Sequence, residues 1–380
     1  MRKLYILSLL SFFSYVFIAC DSDEVIKEDS IITLTSFAEA KPLNISDLVS
    51  EQKYVLLSTQ EDAMFKRVDK LIAKNDRFYL FDHLSESGVL IFDQDGKFIR
   101  KVGEVGEGPQ QIKGISDFQI TEKGEIQILD KIGKSIVIYS AEGLWKEKIA
   151  IPINSGGFAQ FGEKWFLAIN FDNQNESLVQ NHVLGVFESN MDLDSLFFRY
   201  AKGASNSNVY YHAGVFSTDE ESLIYHRPPN DTISIFSKLG ELKNRLVIDF
   251  GDKQLPREVV QDFQAIEQYK TQGASFQYLQ TPTLKAGNRL FGLISSTKNE
   301  IWTYMYSLDS EELYADKINL SQLHFKDIII PSAFRNDNVV ISLIDPFSFG
   351  MDAKPESYPQ EVRNHLENEG YVLLLHYLKP

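Results

Sequence analysis

The chain has 380 residues, of which 43% are hydrophobic and 12% aromatic, so it can bury a large globular core. Its formal net charge of -15 argues against binding to nucleic acid or to anionic lipid, because both depend on basic surface patches. The single cysteine excludes a disulfide framework and a zinc site built from cysteines.

The N-terminus has the pattern of a secretory signal peptide. Arg2 and Lys3 are basic, an apolar run "LYILSLLSFFSYVFIA" follows, and Cys20 comes next. The run is short for a membrane span, and no stop-transfer pattern follows it. We therefore predict that residues 1–19 are removed, which also removes two positive charges and leaves a mature net charge of -17.

The residues around the predicted cleavage point resemble those of bacterial lipoproteins. "FIAC" resembles a lipobox, which implies lipidation of Cys20, and "DSDEVIKEDS" resembles the surface-export signal of Bacteroidota lipoproteins. These resemblances imply an outer-membrane protein held at the cell surface by a lipid anchor alone, with the periplasm as the alternative. An ordinary signal peptide followed by a chance cysteine is the other interpretation of Cys20. The acidic composition predicts a disordered tether over residues 20–44.

From residue 45 onward, short runs rich in Ile, Val, Phe and Tyr alternate with turn residues, as in antiparallel sheets. "RFYLFD" (77–82) aligns with "EIQILD" (125–130), and "GVLIFDQDGK" (88–97) aligns with "SIVIYSAEGLWK" (135–146). Fainter copies follow at intervals of 40–50 residues, the period of four-stranded β-propeller blades. We predict an all-β, six-bladed β-propeller over residues 45–380, with four-stranded antiparallel blades. The strand-like segments 53–59 and 371–378 predict that strands from both termini close the ring.

The "GxGP" corner followed by "ISDFQI", the segment "PPNDTISIF" and the closing "EGYVLLLHYLKP" resemble the Bacteroidota six-bladed β-propeller lipoproteins, a TolB/NHL-like group. The resemblance covers residues 45–380 and implies a six-bladed propeller at the cell surface or in the periplasm that serves nutrient uptake. It implies no reaction and supplies no catalytic motif.

Two motifs look like ligand sites but are better explained as turns. The glycines of "KVGEVGEGPQ" (101–110) lack the spacing of a dinucleotide fingerprint, and the segment lacks the ending of a Walker loop. A strand follows, which predicts a structural corner between two blades. "DQDG" (93–96) imitates the start of a calcium loop, but Phe98 occupies the position that requires glycine, so we predict a hairpin. No Ser/His/Asp order, paired-carboxylate spacing or HExxH motif is recognisable, and we predict no cofactor and no metal.

The topology of a propeller sorts the connections between two ends of the ring. The short polar turns fall at one end, and the longer connections fall at the other, where binding usually occurs. The long crossing 251–282 predicts a surface helix, and a second helix is predicted over residues 359–368. The polar residues of the long connections predict a ligand site for an acidic or neutral sugar or a peptide, with Tyr210 and Phe347 beside it. They are His83, Lys131, Tyr211, His212, His226, Arg227, Lys298 and Asp345.

Three functions remain open on this evidence. The first is a non-enzymatic lipoprotein that binds a glycan, peptide or protein partner in an outer-membrane uptake complex. The second is an enzyme, either a polysaccharide lyase or hydrolase or a calcium-dependent lactonase; Asp82, Asp130 and Asp345 are the obvious acids for the latter. The third is a structural or assembly module. The sequence favours the first.

Overall fold

Six antiparallel sheets make up the fold, arranged in a ring as the sequence predicts. The structure is a computed structural model that describes residues 30–83, 88–108, 110–169, 176–179, 181–200, 214–256, 268–269, 271–336 and 338–380. The prediction of a six-bladed propeller with four-stranded antiparallel blades is confirmed. Two blades gain an extra strand at their outer edge.

The strands follow one another from the inner to the outer edge of each blade. Before the first complete blade come β1 (Ile31–Ser36), β2 (Lys41–Pro42) and β3 (Val49–Leu56). Blade 1 contains β4 (Lys70–Lys74), β5 (Arg77–Phe81), β6 (Val89–Asp93) and β7 (Phe98–Val102). Blade 2 contains β8 (Ile115–Ile120), β9 (Ile126–Asp130), β10 (Ser135–Tyr139) and β11 (Trp145–Ala150). Blade 3 contains β12 (Ser155–Phe161), β13 (Lys164–Ile169), β14 (His182–Phe187) and β15 (Leu193–Arg199).

The second half of the ring repeats this plan with one interruption. Blade 4 contains β16 (Phe216–Thr218), β17 (Leu223–Tyr225), β18 (Thr232–Phe236) and β19 (Leu242–Asp249). Blade 5 has an inner edge in two pieces, β20 (Gln277–Leu279) and β21 (Leu284–Ala286), followed by β22 (Arg289–Ser296), β23 (Ile301–Ser307) and β24 (Glu312–Ile318). Blade 6 contains β25 (Pro331–Arg335), β26 (Val339–Ile344) and β27 (Val372–Leu378).

Strands from the two ends of the chain close the ring. The last strand, β27, pairs with β26 on one side and with the N-terminal β3 on the other, so β3 is the outer strand of blade 6. The inner strand of blade 6, β25, contacts β4 of blade 1. The Ser58 N–H, just after β3, donates to the carbonyl oxygen of Gly96 in the outer hairpin of blade 1. The predicted closure is confirmed.

The N-terminal segment is ordered further than the sequence predicts. Strand β1 pairs in parallel with β19 at the outer edge of blade 4, and β2 pairs in parallel with β24 at the outer edge of blade 5. The prediction of a disordered tether is therefore wrong from Ile31 to residue 44. The physical reason is that "IITLTS" is rich in β-branched residues and satisfies the free backbone groups of an edge strand. The segment from β1 to β3 thus crosses three consecutive blades.

Hydrophobic side chains fill the spaces between neighbouring blades. Every residue of β9 and β10 is buried, because each blade is covered on both faces by its neighbours. The cluster between blades 1 and 2 includes Tyr79, Phe81 and Phe118. Each such side chain contributes roughly 1.5–3 kcal/mol to stability when fully buried. The core is thus divided into layers between rigid blades.

Four short α-helices lie in the connections of the described chain. They are α1 (Ile45–Leu48), α2 (Glu176–Val179), α3 (Pro346–Phe349) and α4 (Gln360–Glu367). Helix α4 confirms the prediction for residues 359–368, and it buries Val362 and Leu366. The helix predicted in the crossing 251–282 falls mostly outside the described residues. Among the described residues, no helix is long and apolar enough to cross a bilayer.

Both turn interpretations from the sequence agree with the structure. The described residues of the crossing from blade 1 to blade 2 bond one another: the Gly106 N–H donates to the Ile112 carbonyl oxygen, and the Ile112 N–H donates to that of Glu104. The Gly108 N–H donates to the Gln111 side chain, so this backbone group is already occupied. "DQDG" forms the hairpin between β6 and β7, with the Asp93 carboxylate accepting the Lys97 N–H.

Candidate functional site

The two ends of the ring differ in the connections they carry. At the short-turn end, first strands turn into second strands, as at residues 75–76 and 287–288. At the opposite, long-connection end lie the links from second to third strands and the crossings between blades. The predicted site residues that the structure describes follow second strands, so they all belong to the long-connection end. A shared end does not by itself bring their side chains together.

His226 is not available to a ligand. It is fully buried, with its Nε2 2.9 Å from the carbonyl oxygen of Asn230 and its Nδ1 2.9 Å from the hydroxyl of Thr283. The Thr283 hydroxyl in turn lies 2.7 Å from that of Tyr304 in blade 5. Burial lowers the pKa of His226 to about 4. The burial of His226 does not agree with the prediction that it binds a ligand, because its imidazole joins blades 4 and 5.

The remaining predicted residues stand at separate places around the long-connection end. His83, Lys131 and Lys298 are exposed in the connections of blades 1, 2 and 5. Asp345 accepts the Ser348 N–H at 3.0 Å and so caps helix α3.

Arg227 donates to the Ile169 carbonyl oxygen of blade 3 at 2.8 Å, so its guanidinium links two blades.

Some of the predicted residues lie outside the described residues: Tyr210, Tyr211, His212 and the predicted lipidation site Cys20. Phe347 is 80% exposed.

The ring encloses a cavity of about 790 Å³ along its axis. Its lining comes from the inner strands β4, β8, β16, β21 and β25 and from their short turns. The volume is within the range of small-ligand pockets, roughly 300–1,000 Å³. We take this channel as the candidate functional site because of its volume and its position on the axis. None of the described residues predicted for the site lines it.

A buried ion pair forms part of the channel wall. The Lys70 ammonium on β4 donates to the Asp117 carboxylate and to the Phe118 carbonyl oxygen on β8, both at 2.7 Å. Asp117 is fully buried and also accepts the Phe158 N–H of β12 at 3.1 Å. These bonds join the inner strands of three blades. The Lys70 ammonium therefore donates its hydrogen bonds to groups of the channel wall.

Two more lysines line the cavity. Lys285 on β21 forms an ion pair with Asp219 and donates to the Ser222 hydroxyl at 2.9 Å, which joins blades 4 and 5. Lys74 lies at the other side, where its ammonium is 3.4 Å from the Ile120 carbonyl oxygen. Burial lowers the pKa of Lys74, and the nearby Glu122 and Glu220 oppose that shift. Lys74 is the half-buried cation best placed to donate to a ligand.

Amides and carboxylates ring the cavity at the short-turn end. These side chains are exposed and come from the first turns of five blades. They are Asn75, Glu122, Glu220, Glu221, Asn288 and Asn336. We call this set the short-turn rim. It offers many donors and acceptors, and its three carboxylates give it negative charge.

The acids considered for a calcium-dependent lactonase support the blades instead. Asp82 accepts the Lys66 N–H at 2.7 Å, and Asp130 accepts the Gly114 N–H at 3.1 Å, each from the crossing sixteen residues earlier. Within the described ranges, no three His, Cys, Asp or Glu side chains gather as a metal site would require. In blades 1 and 2, this aspartate thus ties the preceding crossing to the end of the second strand.

Comparison with known proteins places the chain in a family. Residues 29–369 match the family described as Domain of unknown function (DUF4934). The chain belongs to this family. The match begins two residues before β1, so the DUF4934 domain includes the N-terminal segment that crosses three blades. None of the curated proteins matches the chain.

Two solved structures share the fold of this DUF4934 protein. A protein from Bacteroides fragilis assigned as exported is 16% identical, with a TM-score of 0.71 over 92% of this chain and 100% of that chain. A member of the duf4221 family from Bacteroides vulgatus is 11% identical, with a TM-score of 0.51 over 87% of this chain and 97% of that chain. At these identities the likeness concerns the fold.

The sequence analysis placed the site among the long connections and so did not identify the residues that line the channel. The channel residues lie on short inner strands and tight turns, and the sequence of these segments is typical of ordinary β-hairpins. One signal was available: Lys70 and Lys285 interrupt or flank apolar inner strands, where a charged residue needs a buried partner.

Proposed function

We propose that this DUF4934 protein is an exported lipoprotein that binds a neutral saccharide in its central channel. The observation that carries the proposal is the polar cavity of about 790 Å³ bordered by the short-turn rim. Amide and carboxylate side chains exchange hydrogen bonds readily with sugar hydroxyl groups. The half-buried Phe334 in the cavity lining supplies an apolar ring face for a sugar ring.

The charge distribution favours a neutral over an acidic sugar. Glu122 of blade 2 and Glu220 and Glu221 of blade 4 all line the rim, in a chain whose net charge is already -15. Lys70 and Lys285 are bound to carboxylates of the wall, which leaves Lys74 as the nearest half-buried cation. An anionic ligand would therefore meet net repulsion on entry.

The subcellular localisation and the biological role are part of the same proposal. The "FIAC" sequence with Cys20 and the export assignment of the Bacteroides fragilis neighbour support an exported, lipid-anchored protein of the outer membrane. Cell-surface display, with the periplasm as the alternative, follows from the acidic residues after Cys20. A place in a nutrient-uptake complex, and the kinship with TolB/NHL-like propellers, follow from the sequence resemblance.

Calorimetric titration of the mature chain tests the saccharide proposal. Neutral gluco-, manno- and xylo-oligosaccharides are compared with oligogalacturonate. We expect binding of a neutral sugar and an affinity about tenfold lower in Glu122→Gln, since the charged hydrogen bond contributes about 1.5–3 kcal/mol. Glu163→Gln is the matched control, because Glu163 is exposed in the equivalent turn of blade 3 and does not line the cavity.

Three results would contradict the proposal. They are no binding of any neutral sugar, a preference for oligogalacturonate, and equal weakening by Glu122→Gln and Glu163→Gln. The last result would place the ligand outside the channel.

A further inference from the structure

A serine, a histidine and an aspartate meet at the long-connection end of blade 6. His324 belongs to the crossing from blade 5, whereas Asp352 and Ser357 belong to the connection between β26 and β27. The His324 Nδ1 lies 2.9 Å from the Asp352 carboxylate, and its Nε2 lies 3.3 Å from the Ser357 hydroxyl. None of the three lines the channel cavity.

The hydrogen bonds around Asp352 determine the form of the histidine. Burial opposes ionisation of Asp352, but bonds from the Tyr358 hydroxyl, the Lys354 N–H and His324 outweigh it and lower its pKa. The ionised carboxylate can only accept, so the His324 Nδ1 carries the proton. The Nε2 lone pair is then free to accept the proton of the Ser357 hydroxyl.

The aspartate and the histidine are buried, and the serine is exposed, so a substrate can reach the nucleophile. The Asp352 side chain is fully buried and that of His324 is 6% exposed, whereas Ser357 is exposed to solvent. The Tyr358 ring meets the imidazole edge-on, at 5.3 Å between centroids and 79° between planes, and holds its orientation. An acyl donor can therefore reach the Ser357 hydroxyl directly from solvent.

We propose that Ser357 is an activated nucleophile, with His324 as its general base and Asp352 as the residue that positions the imidazole, and that it accepts acyl groups from small esters. This inference is independent of the saccharide proposal, because it uses other residues at another place.

The reaction balances without a cofactor. The Ser357 Oγ attacks the ester carbonyl carbon while its proton passes to the His324 Nε2. As the bond to the leaving oxygen breaks, the imidazolium returns the proton to that oxygen and the alcohol departs. Water then attacks the acyl-serine while its proton passes to the same imidazole. As the bond to the Ser357 Oγ breaks, the imidazolium returns the proton to that oxygen, which releases the carboxylic acid and restores the serine.

The test uses the mature chain with a fluorophosphonate probe and with p-nitrophenyl acetate. We expect labelling on Ser357, located by peptide mass spectrometry, and a burst of p-nitrophenolate of one equivalent. Ser357→Ala should abolish both, and Ser310→Ala, at an exposed turn serine of blade 5, should change neither. His324→Gln should slow labelling at least about a hundredfold, the usual contribution of a general base.

Asp352→Asn tests the positioning role of Asp352 through the pH dependence of labelling, which would not change if Asp352 only stabilised the fold. Loss of the carboxylate removes the counter-charge of the imidazolium, so the pH at which labelling is half-maximal should shift downward. Labelling of Ser357 no faster than that of Ser310 would overturn the proposal. So would an unchanged labelling rate in His324→Gln. If His324→Gln does not fold, the labelling rates of Ser357 and Ser310 in the wild-type chain still test the proposal.

Discussion

The ammonium of Lys70, on the inner strand of blade 1, lies 2.7 Å from the buried carboxylate of Asp117 on the inner strand of blade 2. The same carboxylate accepts an N–H from blade 3. The blades are packed mainly through apolar side chains, and this polar contact aligns three inner strands and so shapes the channel wall.

Removal of the lysine should therefore be costly. We expect Lys70→Met to lower the free energy of unfolding by about 3 kcal/mol, because it leaves a buried carboxylate without its counter-charge. Urea unfolding followed by circular dichroism measures the change. Lys146→Met is the control, since Lys146 is exposed and its partner Glu125 is only half-buried, so that loss of this ion pair should leave the midpoint nearly unchanged. Equal effects of the two substitutions would contradict this account of the wall.

Closure of the ring depends on close backbone contact at Gly96. Its φ is +83°, and a Cβ there would lie 2.1 Å from the Leu56 carbonyl oxygen of β3. We expect Gly96→Ala to destabilise the protein by about 3 kcal/mol, from strain plus displacement of the outer strand of blade 6.

Gly251→Ala is the matched control for Gly96→Ala. Gly251 also has a positive φ, +60°, but a Cβ there would meet no atom within 4 Å. The expected cost is about 1 kcal/mol, from backbone strain alone. Thermal unfolding of both variants measures the difference, and equal costs would show that β3 can move away without loss.

Two buried histidines should make stability depend on pH. Burial lowers the pKa of His226 and of His376 to about 4, from an ordinary value of 6.5. As the pH falls, the unfolded chain therefore takes up protons before the folded chain does. Stability is complete above pH 6.5 and declines between pH 6.5 and 4, by up to about 3 kcal/mol for each histidine.

The histidine contribution is isolated by a difference measurement. His226→Gln should unfold more easily than the wild-type chain at pH 7.5, and the gap between their urea midpoints should narrow at pH 4.5. A gap of constant size across this range would mean that His226 does not remain neutral in the folded protein.

Lipid anchoring can be tested apart from the fold. We expect the wild-type precursor to appear in the outer-membrane fraction and Cys20→Ser to appear in the soluble fraction, because the sequence predicts that a lipid on Cys20 is the sole anchor. Protease treatment of intact cells then distinguishes the cell surface from the periplasm. A membrane-bound Cys20→Ser protein would exclude the lipid as the sole anchor.

The fold could be predicted because it repeats. Asp82 and Asp130 stand at the ends of the equivalent strands β5 and β9, Asp82 just after its strand. Each accepts an N–H from sixteen residues earlier, so a local pattern in the sequence has a local counterpart in the structure. The N-terminal strands were missed, since β1 pairs with residues more than two hundred positions away and carries no repeat of its own.

The sites were harder to predict because they depend on burial and on distant partners. The sequence presents His226 as a loop histidine, and only the packing of blade 5 against blade 4 shows that it is buried. His324, Asp352 and Ser357 lie in two connections separated by the strands β25 and β26, so no spacing reveals them. The channel depends on which inner strands face the axis, which six separate blades determine together.

The most direct test of the central claim is a crystal structure of the mature chain soaked with the neutral oligosaccharide that binds best in the titration. We expect sugar density in the axial channel, with hydroxyl groups within hydrogen-bond distance of Glu122 and Lys74. Sugar density confined to the outer surface or to the connections at the opposite end, with none in the channel, would contradict the account.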